Sequence, residues 1–272
     1  MVKKLPETRL KEKLDTLYNE YHSKKYLAVD PLICVRRFTD PVRIEIAGLL
    51  CSCLAYGRVE QIIASLNRLL ALIGSDLYDF VAGTSLAQKQ KVFSSFKHRF
   101  NKGNDIALLL EVVKHALNNH GSLEKSAIKH SAAMGYSPAD RMIGFVDYFH
   151  TLAAKLAPHA GPSFYYLLPS PASGSACKRL NMYFRWMVRP DDEIDFGIWK
   201  QFLPSKLVIP LDTHVTRAAL SLGLTKRRRA EWKTALEVTE ALKAVAPEDP
   251  VKYDFSLCRH GMAIYRGEKP VV

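Results

Sequence analysis

The sequence lacks the usual features of membrane, secreted and metal-binding proteins. No apolar run reaches the roughly 18 residues that span a bilayer, and the first residues, MVKKLPETRLKEKL, are charged where a signal peptide has an apolar core. The five cysteines are odd in number and scattered among apolar neighbours, which favours reduced thiols over a disulfide framework. Cys51 and Cys53 would point apart on a helix, and no histidines have HExxH spacing. We therefore expect a cytoplasmic protein with no membrane partner and no bound metal.

The sequence also has no run of alternating β-type residues, no repeat and no low-complexity segment. Apolar residues instead recur every three or four positions, the period of an amphipathic helix. This spacing predicts helices over residues 6–25, 41–56, 59–73, 105–117, 140–153, 176–189, 212–222, 230–245 and 250–265. The main break, 157–175, is rich in Pro, Gly and Ser. We predict an all-α fold, with 272 residues of 48% hydrophobic composition packed as one or two lobes.

Positive charge is concentrated in the C-terminal part of the chain. The net charge is +12 and the isoelectric point about 9.4. Residues 174–233 carry twelve Lys and Arg against six Asp and Glu, which is half of that excess, and they include the basic run Lys226–Arg229. Such a balance suits a polyanion such as nucleic acid or an anionic membrane surface, although a solvated basic face produces it as well.

Two reactive side chains stand where helices are predicted to begin. Lys178 lies in GSACKRLNMYFRWMVR, beside Arg179 and ahead of an apolar helix, and Asp212 lies in IPLDTHVTR, where we expect it to be the N-cap or a first-turn residue of the next helix. Nucleophilic attack requires a neutral amine, and a helix N-terminus favours a negatively charged group. Taken alone, a Lys-Arg pair is usually solvated or bound to phosphate, and an Asp before Thr-His is usually only a cap.

These motifs resemble the helix-hairpin-helix DNA glycosylases, the superfamily of endonuclease III. The signature there is LPGVG-x-K, an apolar helix, then VDTH[VI]xR. Here Leu168-Pro169 and Gly174-Ser-Ala-Cys-Lys178 look like an expanded hairpin, and Leu211–Arg217 matches the second part closely. Pro41–Ile62 is similar to the early helix that reaches the DNA. The chain resembles most an uncharacterised bacterial family within this superfamily, and the separation of 34 positions from Lys178 to Asp212 is closer to that of the archaeal 8-oxoguanine glycosylases.

The resemblance implies a fold, a substrate and a mechanism. Residues 1–272 would form a single two-lobed helical unit with the active site in the cleft between lobes, a modified helix-hairpin-helix at 164–189 and a catalytic-Asp helix at 209–224. Its partner would be double-stranded DNA containing a damaged base, bound by a monomer in the nucleoid. Lys178 would attack the sugar C1′ as nucleophile and Asp212 would be the essential carboxylate. Only Cys258 lies where endonuclease III has four cysteines, so we expect no iron–sulfur cluster and no other cofactor.

The resemblance also implies the residues that would contact DNA. The residues expected to bind its backbone are Gly174, Ser175, Arg179, His214, Arg217, Lys226, Arg227 and Arg228. Those expected at the base pocket are Met182, Tyr253, Asp254 and Phe255. Cys53, Tyr56 and Arg58 are the candidates for insertion into the duplex.

Three functions remain open from the sequence. The first is a base-excision repair glycosylase with abasic-site lyase activity that removes an oxidised purine such as 8-oxoguanine. The second is the same chemistry on another lesion, for instance an alkylated base, uracil or an oxidised pyrimidine. The third is a non-catalytic nucleic-acid-binding protein that kept the fold.

Overall fold

The computed structural model describes residues 5–131, 137–269 and 271–272. It is mostly helical, which confirms the all-α prediction, and it adds one small hairpin. In chain order the elements are α1 (Glu7–Tyr21), α2 (Leu32–Val35), α3 (Pro41–Cys53), α4 (Val59–Ile73), α5 (Leu77–Gly83), α6 (Leu86–Val92), β1 (Lys97–His98), β2 (Asn101–Lys102), α7 (Gly103–His120), α8 (Leu123–Ser131), α9 (Pro138–Leu156), α10 (Pro162–Leu167), α11 (Lys178–Val188), α12 (Thr213–Ser221), α13 (Trp232–Lys243) and α14 (Asp254–Arg266). Short 3-10 helices lie at Lys24–Val29, Pro171–Ser173 and Pro204–Lys206.

The chain divides into two compact units. One, the terminal unit, joins Met1–Ala28 to Pro171–Val272, and the other, the central unit, is Val29–Ser170. None of the described helices is both long and apolar enough to cross a membrane.

In the central unit the core is built around α7. Most residues of this helix are buried, and it packs against α5, α6, α8, α9 and α10. The helix α3 is buried on nearly every side, and its one buried acid, Glu45, caps α8: its carboxylate accepts hydrogen bonds from the backbone N–H groups of Leu123 and Glu124, both at 3.0 Å. A buried carboxylate is tolerated here because both of its oxygens have donors.

In the terminal unit α14 packs against both α1 and α12. The contact with α12 is backbone to backbone, since a Cβ added to Gly261 would lie 2.0 Å from the carbonyl oxygen of His214. Only glycine permits this approach, which fixes the start of α12 against α14.

The helix α11 is the buried centre of the terminal unit, and two of its arginines are neutralised inside it. Arg185 pairs with Asp195 and with Asp254, and Arg189 pairs with Asp195 and Asp249. Buried guanidinium groups require such partners because their desolvation is otherwise unfavourable. The network joins α11 to the loop that follows it and to the start of α14.

Candidate functional site

The Asp212 side chain caps α12. Its Oδ1 accepts hydrogen bonds from the backbone N–H groups of His214 (2.8 Å) and Val215 (2.9 Å), and its own backbone carbonyl accepts from Thr216 N at 2.8 Å. The predicted N-cap is therefore confirmed. Because Oδ1 is held by two donors, the orientation of the whole carboxylate is fixed, and Oδ2 is the oxygen that faces Lys178.

Lys178 is the first residue of α11, and an unusual backbone conformation sets its position. The preceding residue, Cys177, lies in the left-handed region with φ 47° although it carries a side chain. Its N–H donates to Ser175 Oγ at 3.2 Å, and its carbonyl accepts from Asn181 N at 2.9 Å. Strained residues of this kind persist where the surrounding structure holds them, and they are frequent at functional sites.

The two predicted catalytic residues lie together. Lys178 Nζ is 4.0 Å from Asp212 Oδ2, and the side chains are 30% and 25% exposed. Both groups therefore sit at the N-terminus of a helix, partly shielded but open to a ligand. The positive end of each helix dipole favours negative charge there, so this corner can accommodate an anionic ligand beside the amine.

One buried residue of α14, Asp254, lies within electrostatic reach of this pair. Burial raises the pKa of Asp254 to about 6; the Arg185 guanidinium opposes that rise, and the Asp212 carboxylate adds to it. Asp254 Oδ2 pairs with Arg185, while Oδ1 has no hydrogen-bond partner among the described residues. At pH 7 this carboxyl group is mostly ionised, and its buried Oδ1 is an acceptor without a donor among the described residues.

Neither nearby thiol is suited to act as the nucleophile at neutral pH. Burial raises the pKa of Cys177 to about 12, and burial together with the Asp212 charge raises the pKa of Cys258 to about 12. Thiols with such values remain protonated at pH 7, and the thiolate is the nucleophilic form. Of the three candidate nucleophiles, the two thiols are therefore in their unreactive form, which leaves the Lys178 amine as the candidate.

The other residues expected at the base pocket pack inside the terminal unit. Met182 and Phe255 are buried, and the Phe255 ring lies 4.4 Å from the Arg259 guanidinium carbon. Tyr253 is also buried, and its hydroxyl donates to Asp15 Oδ1 on α1 at 2.6 Å. Of the four expected residues, Asp254 alone has a polar side-chain atom without a hydrogen-bond partner among the described residues; that oxygen is buried, and the charges of Lys178 and Asp212 act on its carboxyl group.

The residues expected to bind the DNA backbone divide into buried and accessible groups. Arg179 is buried, whereas Lys226 and Arg228 are exposed. Arg227 is also exposed and forms ion pairs with Glu231 and Glu237.

The segment before Lys178, which was expected to form the expanded hairpin, is held against the start of α13. Gly174 is exposed with φ 78°, its carbonyl accepts from Trp232 N at 3.0 Å, and Ser175 forms a bridge with Glu231. The exposed glycine and its partly exposed neighbour are accessible to a phosphate.

His214 and Arg217 are partly exposed beside Asp212 on α12. Arg217 Nη1 lies 3.3 Å from His214 Nδ1, and the Arg217 guanidinium carbon lies 4.9 Å from the centroid of the exposed Tyr265 ring. Arg217 follows Asp212 by five residues, on the helix that Asp212 caps.

The three duplex-insertion candidates lie in the central unit and differ in access. Cys53 is fully buried at the end of α3, where its thiol cannot contact DNA. Arg58 is exposed, and Tyr56 is partly exposed in contact with two rings that sequence reasoning missed, Phe100 and Tyr166. The sequence contains one sign of an exposed ring here, because Phe100 is a phenylalanine within an otherwise polar run, KHRFNK.

Within the parts of the chain that the structure describes, no group of three or more His, Cys, Asp or Glu side chains is placed to hold a metal ion.

These features define a mostly helical protein with a lysine and an aspartate paired at two helix N-termini. The family described as "Protein of unknown function (DUF2400)" matches residues 30–263, so the chain belongs to that family. Neither the curated proteins nor the solved structures give a match.

Proposed function

We propose that the protein is a DNA glycosylase with abasic-site lyase activity, in which Lys178 is the nucleophile and Asp212 the carboxylate. The observation that carries the proposal is the 4.0 Å separation between Lys178 Nζ and Asp212 Oδ2, with each residue at the start of a helix. The type of reaction is inferred from the resemblance of both motifs to those of the helix-hairpin-helix glycosylases. The two-lobed architecture of those enzymes is part of the proposal.

The reaction begins when the damaged nucleotide leaves the base stack. Lys178 Nζ gives up a proton and forms a bond to C1′, while the C1′–N bond to the base breaks and the base leaves with that electron pair. Asp212 Oδ2 accepts the lysine proton or stabilises positive charge on the sugar. Opening of the sugar ring gives a Schiff base, and loss of a C2′ proton then expels the 3′ phosphate. Asp212 can serve in this way because its cap hydrogen bonds hold it in place without using Oδ2.

Asp254 favours a guanine-type base as the substrate. Its buried Oδ1 is an acceptor without a partner among the described residues, beside the catalytic pair. An ionised carboxylate can only accept hydrogen bonds. Guanine-type bases, including 8-oxoguanine, present N1–H and an amino group as adjacent donors, which this oxygen would bind. We therefore propose an oxidised purine as the lesion.

Borohydride trapping tests the nucleophile. Borohydride reduces the Schiff base and leaves a covalent protein–DNA adduct that migrates slowly on a denaturing gel. We expect the wild type to trap on a duplex with one 8-oxoguanine, Lys178→Gln to trap none, and Lys200→Gln, which removes an exposed lysine of the same unit, to trap normally. Equal trapping by wild type and Lys178→Gln would show that another amine reacts.

A panel of single-lesion duplexes tests the substrate separately. Uracil, an alkylated base and an oxidised pyrimidine replace 8-oxoguanine at the same position, and an abasic site serves as a lesion-independent substrate for the lyase step. Trapping on the abasic site alone would retain the Lys178 chemistry and reject the base assignment. Salt-dependent binding without any product would instead favour a non-catalytic nucleic-acid-binding protein.

A further inference from the structure

The hairpin in the central unit carries an arginine and a phenylalanine at its tip. In β1 and β2, Lys97 pairs with Lys102 and His98 with Asn101, which leaves Arg99 and Phe100 as a two-residue turn. Arg99 has a left-handed backbone with φ 55°. Such short strands are not stable by themselves, so contacts elsewhere in the unit must hold this turn.

Buried polar groups hold the base of the hairpin. The Tyr56 hydroxyl lies against Asn101 Oδ1 and is 3.2 Å from the His98 carbonyl oxygen. Asn101 is fully buried, and its Nδ2 donates to the Ser163 carbonyl at 2.7 Å. The His98 ring is also buried, with Nδ1 3.0 Å from Ser65 Oγ. Hydrogen bonds with three segments distant in sequence, at Tyr56, Ser65 and Ser163, therefore hold the base of the hairpin below its tip.

The tip belongs to a cluster of three aromatic rings that is open to solvent. The Phe100 and Tyr166 ring centroids are 4.5 Å apart, and the Tyr56 ring lies 5.3 Å from each. Phe100 is 46% exposed and Tyr166 44%. Single exposed apolar residues are common on soluble proteins, but a contiguous group of rings indicates a binding surface.

The surroundings of the rings are cationic. The segment 97–102 contains Lys97, Arg99 and Lys102, all exposed, and no acid. The nearby carboxylate of Asp105 is fully engaged: Oδ2 accepts from Lys102 N at 2.9 Å, and Oδ1 accepts from the Ser163 hydroxyl at 2.9 Å. Aromatic faces beside exposed cations match a partner that has flat rings and negative charge.

We propose that this surface, formed by Phe100, Tyr166, Tyr56 and the flanking cations, binds unpaired bases of DNA. Phe100 and Tyr166 stack on a base that is not held in a duplex, and Lys97, Arg99 and Lys102 contact the adjacent phosphates. The inference rests on the proposed function only in taking DNA as the polyanion. It adds a second contact region, in a different unit from the Lys178–Asp212 pair.

Binding to fluorescent DNA tests the surface. Three probes of equal length, an intact duplex, a duplex with one unpaired 2-aminopurine and a single strand with the same base, are titrated with the full-length protein. We expect the unpaired probes to bind more tightly than the intact duplex and their 2-aminopurine fluorescence to be quenched by stacking. Because base–aromatic stacking contributes about 1–3 kcal/mol per base, Phe100→Ala should weaken binding of the unpaired probes about 5- to 150-fold.

Matched variants isolate the role of the rings. Phe100→Trp keeps a stacking face and should retain binding and quenching. Tyr78→Ala removes another exposed aromatic side chain of the central unit, 39% exposed on α5, and should bind like the wild type. Lys97→Gln should reduce the slope of log Kd against log salt by about 0.7–0.9 while leaving the quenching intact. Thermal melts of Lys97→Gln and Phe100→Trp should stay close to the wild type, and Phe100→Ala should still unfold in one cooperative transition, at a somewhat lower temperature because it loses contacts with two rings.

Two results would overturn the inference: Phe100→Ala binding the unpaired probes like the wild type, or a loss of affinity that is equal for all three probes. Failure of the proposed function gives a different pattern, because the readout is binding and not turnover. A wild-type protein that traps no DNA but still prefers unpaired bases through Phe100 would reject the catalytic proposal and retain this one.

Discussion

The double role of Asp212 can be separated by comparing two substitutions. Asp212→Ala removes both the acceptor of the His214 and Val215 N–H groups and the charge that faces Lys178. Asp212→Asn removes the charge but keeps an oxygen that can accept the same two hydrogen bonds. If the cap and the charge are independent functions of one side chain, the two variants should be equally inactive but differ in stability.

The expected magnitudes follow from the geometry. Replacing an N-cap Asp with Ala lowers the free energy of unfolding by typically about 1 kcal/mol, within a range of about 0.5–2. The contact with Lys178 is 4.0 Å long and partly solvated, so its loss adds about 0–1 kcal/mol. We expect Asp212→Ala to be about 1–2 kcal/mol less stable than the wild type. Asp212→Asn loses only the charge interactions with the helix dipole and Lys178, roughly 0.3–1 kcal/mol.

Tryptophan fluorescence during urea denaturation measures this difference in the relevant unit. All three tryptophans, Trp186, Trp199 and Trp232, lie in the terminal unit, so their emission follows the unit that contains Asp212. With a slope of about 1–3 kcal/mol per molar urea, a loss of about 1 kcal/mol moves the midpoint by roughly 0.3–1 M. Asp212→Ser, which restores a capping oxygen, should recover most of the midpoint but none of the trapping. Identical midpoints for the Ala and Asn variants would refute the capping argument.

Three further results are expected from other parts of the structure. Gly261→Ala should lower the free energy of unfolding by at least about 1–3 kcal/mol in the tryptophan assay, because a Cβ there meets a backbone oxygen of α12 at 2.0 Å. Lys89→Met should lower the free energy of unfolding, measured by circular dichroism, by about 3–5 kcal/mol, because it leaves the Glu111 carboxylate, 2.7 Å from the buried amine, without its charge partner. Adding Glu111→Leu should recover much of this loss. Losses that simply add in the double variant would contradict the argument. Burial lowers the pKa of His120 and His130 from the ordinary 6.5, and positive charges nearby lower it further. The unfolded chain therefore binds more protons than the folded one, and the central unit should lose stability as pH falls below about 6.5. The double variant His120→Gln, His130→Gln should lose less stability over this pH range, and a pH dependence equal to that of the wild type would contradict the argument.

Helix positions in this chain could be predicted because their signals are local. The helix from Val59 to Ile73 begins and ends where the apolar spacing does. Asp40 directly precedes Pro41, an arrangement typical of a helix start, and its side chain accepts from Arg43 N at 3.0 Å. Each signal lies within one or two turns of the element that it predicts, so the sequence alone contains the information.

The hairpin at 97–102 could not be predicted in the same way. Its strands have two residues each, too few to show the alternation that marks a strand. It is held by Tyr56 and Ser163, which lie about 40 and 60 residues away in the chain. The aromatic surface at its tip follows from that long-range packing, and its ring contacts were therefore not accessible to sequence reasoning.

The candidate site was partly predictable for a related reason. The motifs located Lys178 and Asp212, but their separation depends on how α11 and α12 pack, across 34 residues of chain. The role of Asp254 depends on burial and on Arg185, 69 residues earlier. Gly174 has a positive φ, which its residue type permits. The residue directly before the lysine, Cys177, is also left-handed, and its residue type gives no such signal.

The difference in freedom between the two catalytic candidates suggests how the site would act. Asp212 is held by two backbone donors, so its carboxylate cannot move without losing the start of α12. Lys178 has four rotatable methylene groups and is 30% exposed, so its amine can move within the space that Cys177 and α11 define. Direct proton transfer requires about 2.6–3.2 Å between heavy atoms, less than the 4.0 Å observed. We therefore expect Lys178 Nζ to move closer to Asp212 Oδ2 when DNA binds, while the carboxylate stays where its cap hydrogen bonds hold it.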